Sequence, residues 1–147
     1  MTDHLAQLNV GVPVGPRDDP RMAGFYADID RINAVADEYP GFVWRLVDDG
    51  GADATSLRPF GGDLMVNMSV WASLEDLRQY TFRSGHLDVL RRRREWFVPL
   101  GEAHAVLWWV PSGHRPSLTE ARDRLELLRR SGPTPEAFTF RDVFPAP

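Results

Sequence analysis

Cysteine is absent from the 147-residue chain, which excludes disulfides, thiolate nucleophiles and Cys-ligated metal and agrees with a reducing compartment. No apolar run reaches the roughly 20 residues that a bilayer-spanning helix needs. The opening residues, Met1-Thr2-Asp3-His4, lack the basic and apolar regions of a signal peptide. A cytoplasmic protein with no membrane partner is therefore expected. Positive charge is not in excess: a formal net charge of -4 speaks against general nucleic-acid binding. Repeats and low-complexity tracts are missing too, so residues 1–147 read as one domain. What is present is core-building material. Hydrophobic residues make up 43% of the chain, with five Trp and eight Phe, ample for a packed interior.

The clearest pattern lies between Leu64 and Phe97. Leu64, Val66, Met68 and Val70 alternate with Met65, Asn67, Ser69 and Trp71, a strand with one apolar face and one polar and aromatic face. Ser73 with Asp76 then caps a helix carrying Leu74, Leu77 and Tyr80. Arg83-Ser84-Gly85-His86 follows, and a second helical segment holds Arg91 to Arg94 and ends at Glu95-Trp96-Phe97. Upstream, residues 4–10 alternate as a first strand, residues 11–16 form a loop, and Asp19-Pro20 starts a helix with the stripe Met22, Phe25, Tyr26, Ile29, Ile32, Val35 and Ala36. Tyr39-Pro40-Gly41 stops it before a strand over residues 42–47, and a Gly- and Asp-rich loop spans residues 48–62. Downstream, residues 104–110 form a deeply buried strand. Ser117 and Glu120 cap a last helix with the stripe Leu118, Ala121, Leu125 and Leu128, stopped by Gly132-Pro133. The tail over residues 137–144 adds an edge strand or wraps a neighbour.

Strand, helix, strand, strand, helix, strand is the order of a ferredoxin-like βαββαβ α+β unit, here with an appended C-terminal helix. Its helices are expected on one sheet face. The other face would then present Gln7, Asn9, Asn67, Ser69 and Trp71, too aromatic to lie bare and too polar for a dry core. Pairing two such sheets around a polar cavity, as a homodimeric α/β barrel, resolves that conflict.

NMSVWASLEDLRQY, a strand ending in Val-Trp before a capped helix, resembles the dimeric α/β-barrel superfamily that includes antibiotic-biosynthesis and haem-degrading monooxygenases. Over nearly its whole length, in HLAQLNVG, GFVWRL, SVWASLEDL, YTFRSGH, RRRREWF and LWWVPSGHRP, the chain resembles a bacterial family of that superfamily known only as a domain of unknown function. The resemblance implies the fold and a homodimer and carries no established activity. Haem-degrading relatives use an Asn on the first strand, a Trp on the helix after the third, and a later His as iron ligand. Asn9 matches the first, Tyr80 replaces the Trp, and Leu90 stands at the ligand position, with His86 four residues earlier, one helical turn away. These departures argue against haem degradation and leave His86-ligated haem open. Cofactor-independent relatives hold a polycyclic phenol between Asn, Trp and a basic or tyrosine side chain, an environment that Asn67, Trp71 and Tyr80 resemble.

The expectation is a small-molecule enzyme, monooxygenase-like and cofactor-independent, acting on a planar organic ligand in the cavity. Trp71, Trp44 and Trp108 would hold the substrate, Asn9 and Asn67 would bond its oxygens, and His86 or Tyr80 would move a proton. The alternatives are a non-catalytic ligand-binding dimer and a His-ligated haem protein. Each residue also has a plainer role: His86 as a helix-start cap, the asparagines as sheet-bonding amides, the tryptophans as core. Trp44 and Arg45 alternate, so only one of them faces the cavity. Four consecutive arginines, Arg91 to Arg94, cover every side of a helix, and at most one of them meets a ligand anion. His4, His104 and His114 have no close metal-ligand spacing.

Overall fold

The computed structural model describes residues 3–48, 53–83 and 91–147. In chain order these residues form β1 (His4–Pro13), a short 3-10 turn (Pro20–Met22), α1 (Ala23–Glu38), β2 (Phe42–Arg45), β3 (Met65–Trp71), α2 (Leu74–Arg83), α3 (Arg93–Trp96), β4 (Phe97–Val98), β5 (Ala105–Val110) and α4 (Leu118–Ser131). The expected βαββαβ order with an appended helix is present. β1 is central, pairing antiparallel with β3 on one side and with β5 and β4 on the other, and β2 lies outside β3. Leu5 stands between Trp71 and Trp109, and Asn9 between Asn67 and Ala105. The mixed fold with an antiparallel sheet is thus the α+β architecture anticipated above. Among the described residues no helix is long and apolar enough to cross a membrane.

The caps form where the sequence places them. The Asp19 side chain accepts from the Arg21 N–H at 2.8 Å, Ser73 Oγ accepts from the Asp76 N–H at 3.1 Å, and Ser117 Oγ accepts from the Glu120 N–H at 3.0 Å; each satisfies a donor that the first helical turn leaves open. Gly41, at φ +86°, makes the turn into β2, and its missing Cβ leaves room for the Asp76 carboxylate. β1 runs further than expected, to Pro13, because Val12 and Pro13 pair with Val98 and Phe97; proline is tolerated at such a strand end. The tail does add to the sheet edge, through one antiparallel bridge between Leu107 and Phe138.

The assignment of the two sheet faces is the main correction. Leu5, Trp71 and Leu107, from the face bearing the polar residues, cluster with Ile32 and Ala36 of α1, Leu77 and Tyr80 of α2, and Phe138 of the tail. The polar and aromatic face is therefore the helix-covered one. The apolar face, with Ala6, Leu8, Val10, Val66, Met68, Val70, Val106, Trp108 and Val110, packs against Ala121, Leu125 and Leu128 of α4. Leu57 and Phe60, from the segment expected to be a loop, and Leu64, expected to open the third strand, pack against that cluster. Alternation reports that two faces differ but not which of them the crossover helices take. With both faces covered within one chain, an uncovered polar face no longer argues for a dimer.

Candidate functional site

A cavity of about 530 Å³ lies between the polar sheet face and the helices, within the range of small-molecule sites. Its floor is an amide network. Gln7 Nε2 donates to Asn67 Oδ1 and to Ser69 Oγ, both at 2.8 Å. Asn9 Nδ2 donates to Gln7 Oε1 at 3.2 Å and to Asn67 Oδ1 at 3.3 Å, and Trp71 Nε1 donates to Ser69 Oγ at 2.9 Å. These bonds occupy both hydrogens of the Gln7 and Asn9 amides. They leave the Asn67 NH2 group and the Ser69 hydroxyl hydrogen uncommitted, with Asn9 Oδ1 as one free acceptor. The floor consequently offers mainly donors to whatever lies above it.

One wall is aromatic. Trp71 and Tyr80 stack with centroids 4.9 Å apart, and Phe42 meets the Trp71 ring edge-on at 5.5 Å. Tyr80 lines the cavity, but its hydroxyl donates to the Ile32 carbonyl at 3.2 Å. Burial pushes its phenol well above the usual range, Arg45 opposing and Asp37 adding to the shift. Tyr80 is thus protonated at neutral pH, and any proton it moves there is one that it donates.

At the opposite end, Arg93 is the member of the arginine run turned inward. Its Nη2 donates to the Val10 carbonyl at 2.9 Å and its guanidinium lies 5.0 Å from the Phe97 centroid. Burial lowers its pKa from the usual value. No carboxylate pairs with it among the described residues, whereas Arg92 is held by Glu95 at 2.9 Å and approaches Asp28 at 3.9 Å. Gly11 makes this arrangement possible: a Cβ there would stand 2.7 Å from the Phe97 ring and 3.2 Å from Arg93 Nη2. His104 also lines the cavity, and burial, then Arg93 and Arg129, hold its imidazole below the ordinary histidine value.

The structure brings Asn9, Asn67, Trp71 and Tyr80 together around this space. It does not bring Trp44 or Trp108. Both pack with the apolar-face cluster, Trp108 donating to Glu120 Oε2 at 2.8 Å and Trp44 lying 6.0 Å from the Arg115 guanidinium. Their expected substrate contact is corrected to a core role, because even-numbered β5 residues and Trp44 point away from α1 and α2, toward the face that α4 covers. Arg45 takes the cavity side instead, with Nε and Nη2 on the Asp37 carboxylate at 2.7 and 3.1 Å. His86 and Leu90 lie outside the described residues. Sequence reasoning missed Asn33 of α1 and Thr81 of α2, both buried and both lining the cavity. The signal was available: Asn33 follows Ile29 by four residues and Thr81 follows Leu77 by four, on the buried stripes.

An antiparallel sheet with a ligand-sized cavity under its two crossover helices defines a ferredoxin-like α+β protein. More particularly, the chain belongs to the family described as Domain of unknown function (DUF3291), whose profile matches residues 4–147. Among solved structures it is similar to SnoaB, described as a cofactor-independent oxygenase from Streptomyces nogalater. That match has a TM-score of 0.52 and 21% identity, over 80% of this chain and 98% of that one. An Asn-to-Ala variant of SnoaB matches with a TM-score of 0.50 and 19% identity over the same shares. At such identity the likeness carries the fold, and the oxygenase activity remains a property of SnoaB. No curated protein matches the chain.

Proposed function

We propose that this protein is a cofactor-independent, monooxygenase-like enzyme acting on a planar, oxygenated aromatic molecule. The observation that carries the reading is the donor-rich floor facing the stacked pair Trp71 and Tyr80. Such a floor stabilises negative charge on a ligand oxygen: the Asn67 NH2 and the Ser69 hydroxyl donate and neither accepts a proton, and Arg93 adds positive charge at the far end of the cavity. An electron-rich phenol or anthrone bound there loses a proton, and its enolate reduces and adds dioxygen at carbon. The resulting peroxide takes up a proton, and loss of water from the hydroperoxide leaves a ketone, one oxygen atom entering product and one entering water. The electrons come from the substrate, so the step needs no further reductant. The fold shared with a cofactor-independent oxygenase supports the same direction.

The proton acceptor in this reading is a histidine. His104 is on the cavity wall and its lowered pKa favours the neutral, proton-accepting form at pH 7. His86 is the candidate from sequence, and separate His86→Ala and His104→Gln variants assign the role. Homodimerisation belongs to the proposal as an implication of the family resemblance. Sedimentation tests it, and a monomer would mean that α4 replaces a partner on the apolar face.

The decisive measurement is oxygen uptake with an anthrone in the presence of a metal chelator. Uptake matched by equimolar quinone is the expected result. Saturable binding of the anthrone without oxygen uptake would establish a non-catalytic ligand-binding protein in its place.

A further inference from the structure

The proposed reaction uses the sheet side of the cavity and leaves the helix side unexplained. Asn33 and Thr81, each 8% exposed, line the cavity from α1 and α2. Neither side chain makes a hydrogen bond among the described residues. A helical threonine commonly turns its hydroxyl back onto the carbonyl of the preceding turn; Thr81 does not. An amide among Phe25, Ile29, Ile32 and Ala36 on the inner side of α1 weakens a packing surface that an apolar residue would strengthen. The bond from Tyr80 Oη to the Ile32 carbonyl ties the helices together at the residues adjoining both groups. Two buried, partnerless polar side chains on two separate elements therefore line the same cavity as the amide floor.

We propose that Asn33 and Thr81 form a second recognition edge, and that the ligand is a planar polycycle oxygenated on two opposite edges. One edge carries the oxygen that meets Asn67 and Ser69. The other carries a hydroxyl or carbonyl that pairs with the Asn33 amide and the Thr81 hydroxyl. The inference rests on the aromatic-ligand reading above and extends it from a ring with an acidic oxygen to a ring with a defined oxygen pattern. A ligand with one bare edge leaves the two helix groups unpaired in the closed site, and the loss of those bonds is what discriminates against it.

The test uses two isomers with the same number of oxygens, 1,5-dihydroxynaphthalene with hydroxyls on opposite edges and 1,8-dihydroxynaphthalene with both on one edge. Calorimetric titration of the wild-type protein should show about tenfold tighter binding of the 1,5 isomer. Asn33→Leu should abolish that preference while keeping a melting temperature at or above that of the wild type, since it replaces an unpaired buried amide by an apolar side chain. Thr81→Val, which removes a hydroxyl at nearly constant volume, should reduce the preference as well. A structural role for Asn33 would instead lower the melting temperature and leave the isomer ratio unchanged. Equal wild-type affinities, binding of neither isomer, or a full preference retained in Thr81→Val would each overturn the proposal. Oxygen uptake is scored separately with the anthrone, so a preserved isomer preference without uptake overturns the enzymatic reading alone.

Discussion

The two faces of the sheet are built from the same strands and do different work. On the apolar face β1 and β3 present Ala6, Leu8, Val10, Val66, Met68 and Val70, and α4 closes over them; Ala6, Leu8, Met68 and Val70 are each at most 1% exposed. On the other face the same two strands present Gln7, Asn9, Asn67 and Ser69, and the helices cover them without filling the space. The first face follows the ordinary drive to bury hydrocarbon at interior density. The second keeps amides that must bond to one another or to a ligand. Stability should therefore reside mainly in one face and ligand recognition in the other, and substitutions can separate them.

The largest expected effect is Trp108→Ala on the apolar face. It removes a side chain with no exposed surface and leaves Glu120 Oε2 without its indole donor. The loss should be about 3–5 kcal/mol, the usual scale for emptying a core aromatic site, read from urea midpoints. A loss below about 1 kcal/mol would show that this face is not the stabilising one.

The reverse contrast is Asn67→Ala. Asn67 is exposed to the cavity, and its oxygen serves the Gln7 and Asn9 amides while its nitrogen is uncommitted. Removing a donor aimed at developing charge costs roughly 100-fold in turnover, whereas stability should change by no more than about 1 kcal/mol because Gln7 and Asn9 can turn to water. Steady-state rates with an anthrone, set beside urea midpoints, give both readings. Unchanged turnover would remove the floor from the mechanism.

These two substitutions also show how much was legible in advance. Element order, caps and the apolar stripe of α4 follow from local signals: Ser117 Oγ caps at 3.0 Å, and Ala121, Leu125 and Leu128 are buried as their spacing requires. Asn67 and Trp71 were found because a polar face on a central strand is itself informative. The face taken by Trp44 and Trp108 was not legible, since alternation leaves the choice of face open. Nor was Arg93. Four adjacent arginines carry no phase, and only the short α3, with Trp96 buried three residues on, turns Arg93 toward Val10 and leaves its neighbours outside.

A smaller effect is expected from Tyr80→Phe, which separates the aromatic wall from proton transfer. The ring still stacks on Trp71, and the bond to the Ile32 carbonyl is lost. A net cost of about 1 kcal/mol in stability follows from one buried neutral hydrogen bond. Because burial holds the phenol above its usual pKa, turnover should stay within about threefold of the wild type, well short of a general-base loss. A fall of 100-fold or more would restore Tyr80 to the chemistry.

The smallest effect concerns His104, at the end where the two faces meet Arg93 and Arg129. Burial first, then those two cations, hold its imidazole below the usual 6.5. The unfolded chain therefore binds a proton that the folded chain resists, and stability rises with pH where this group titrates. Its contribution is unaffected well above pH 6.5 and is lost progressively as the pH falls through 6.5 toward the lower folded-state value. His104 keeps part of its surface in solvent, which screens the shift, so the slope should be shallow. The difference between wild type and His104→Gln is the quantity to follow, because it isolates this one group. Urea midpoints of the two proteins should run parallel above neutrality and converge or cross as the pH is lowered toward 5, with the wild type falling faster. Parallel curves throughout would mean that Arg93 and Arg129 exert no measurable field on His104, and would weaken its candidacy as the neutral histidine that accepts the substrate proton.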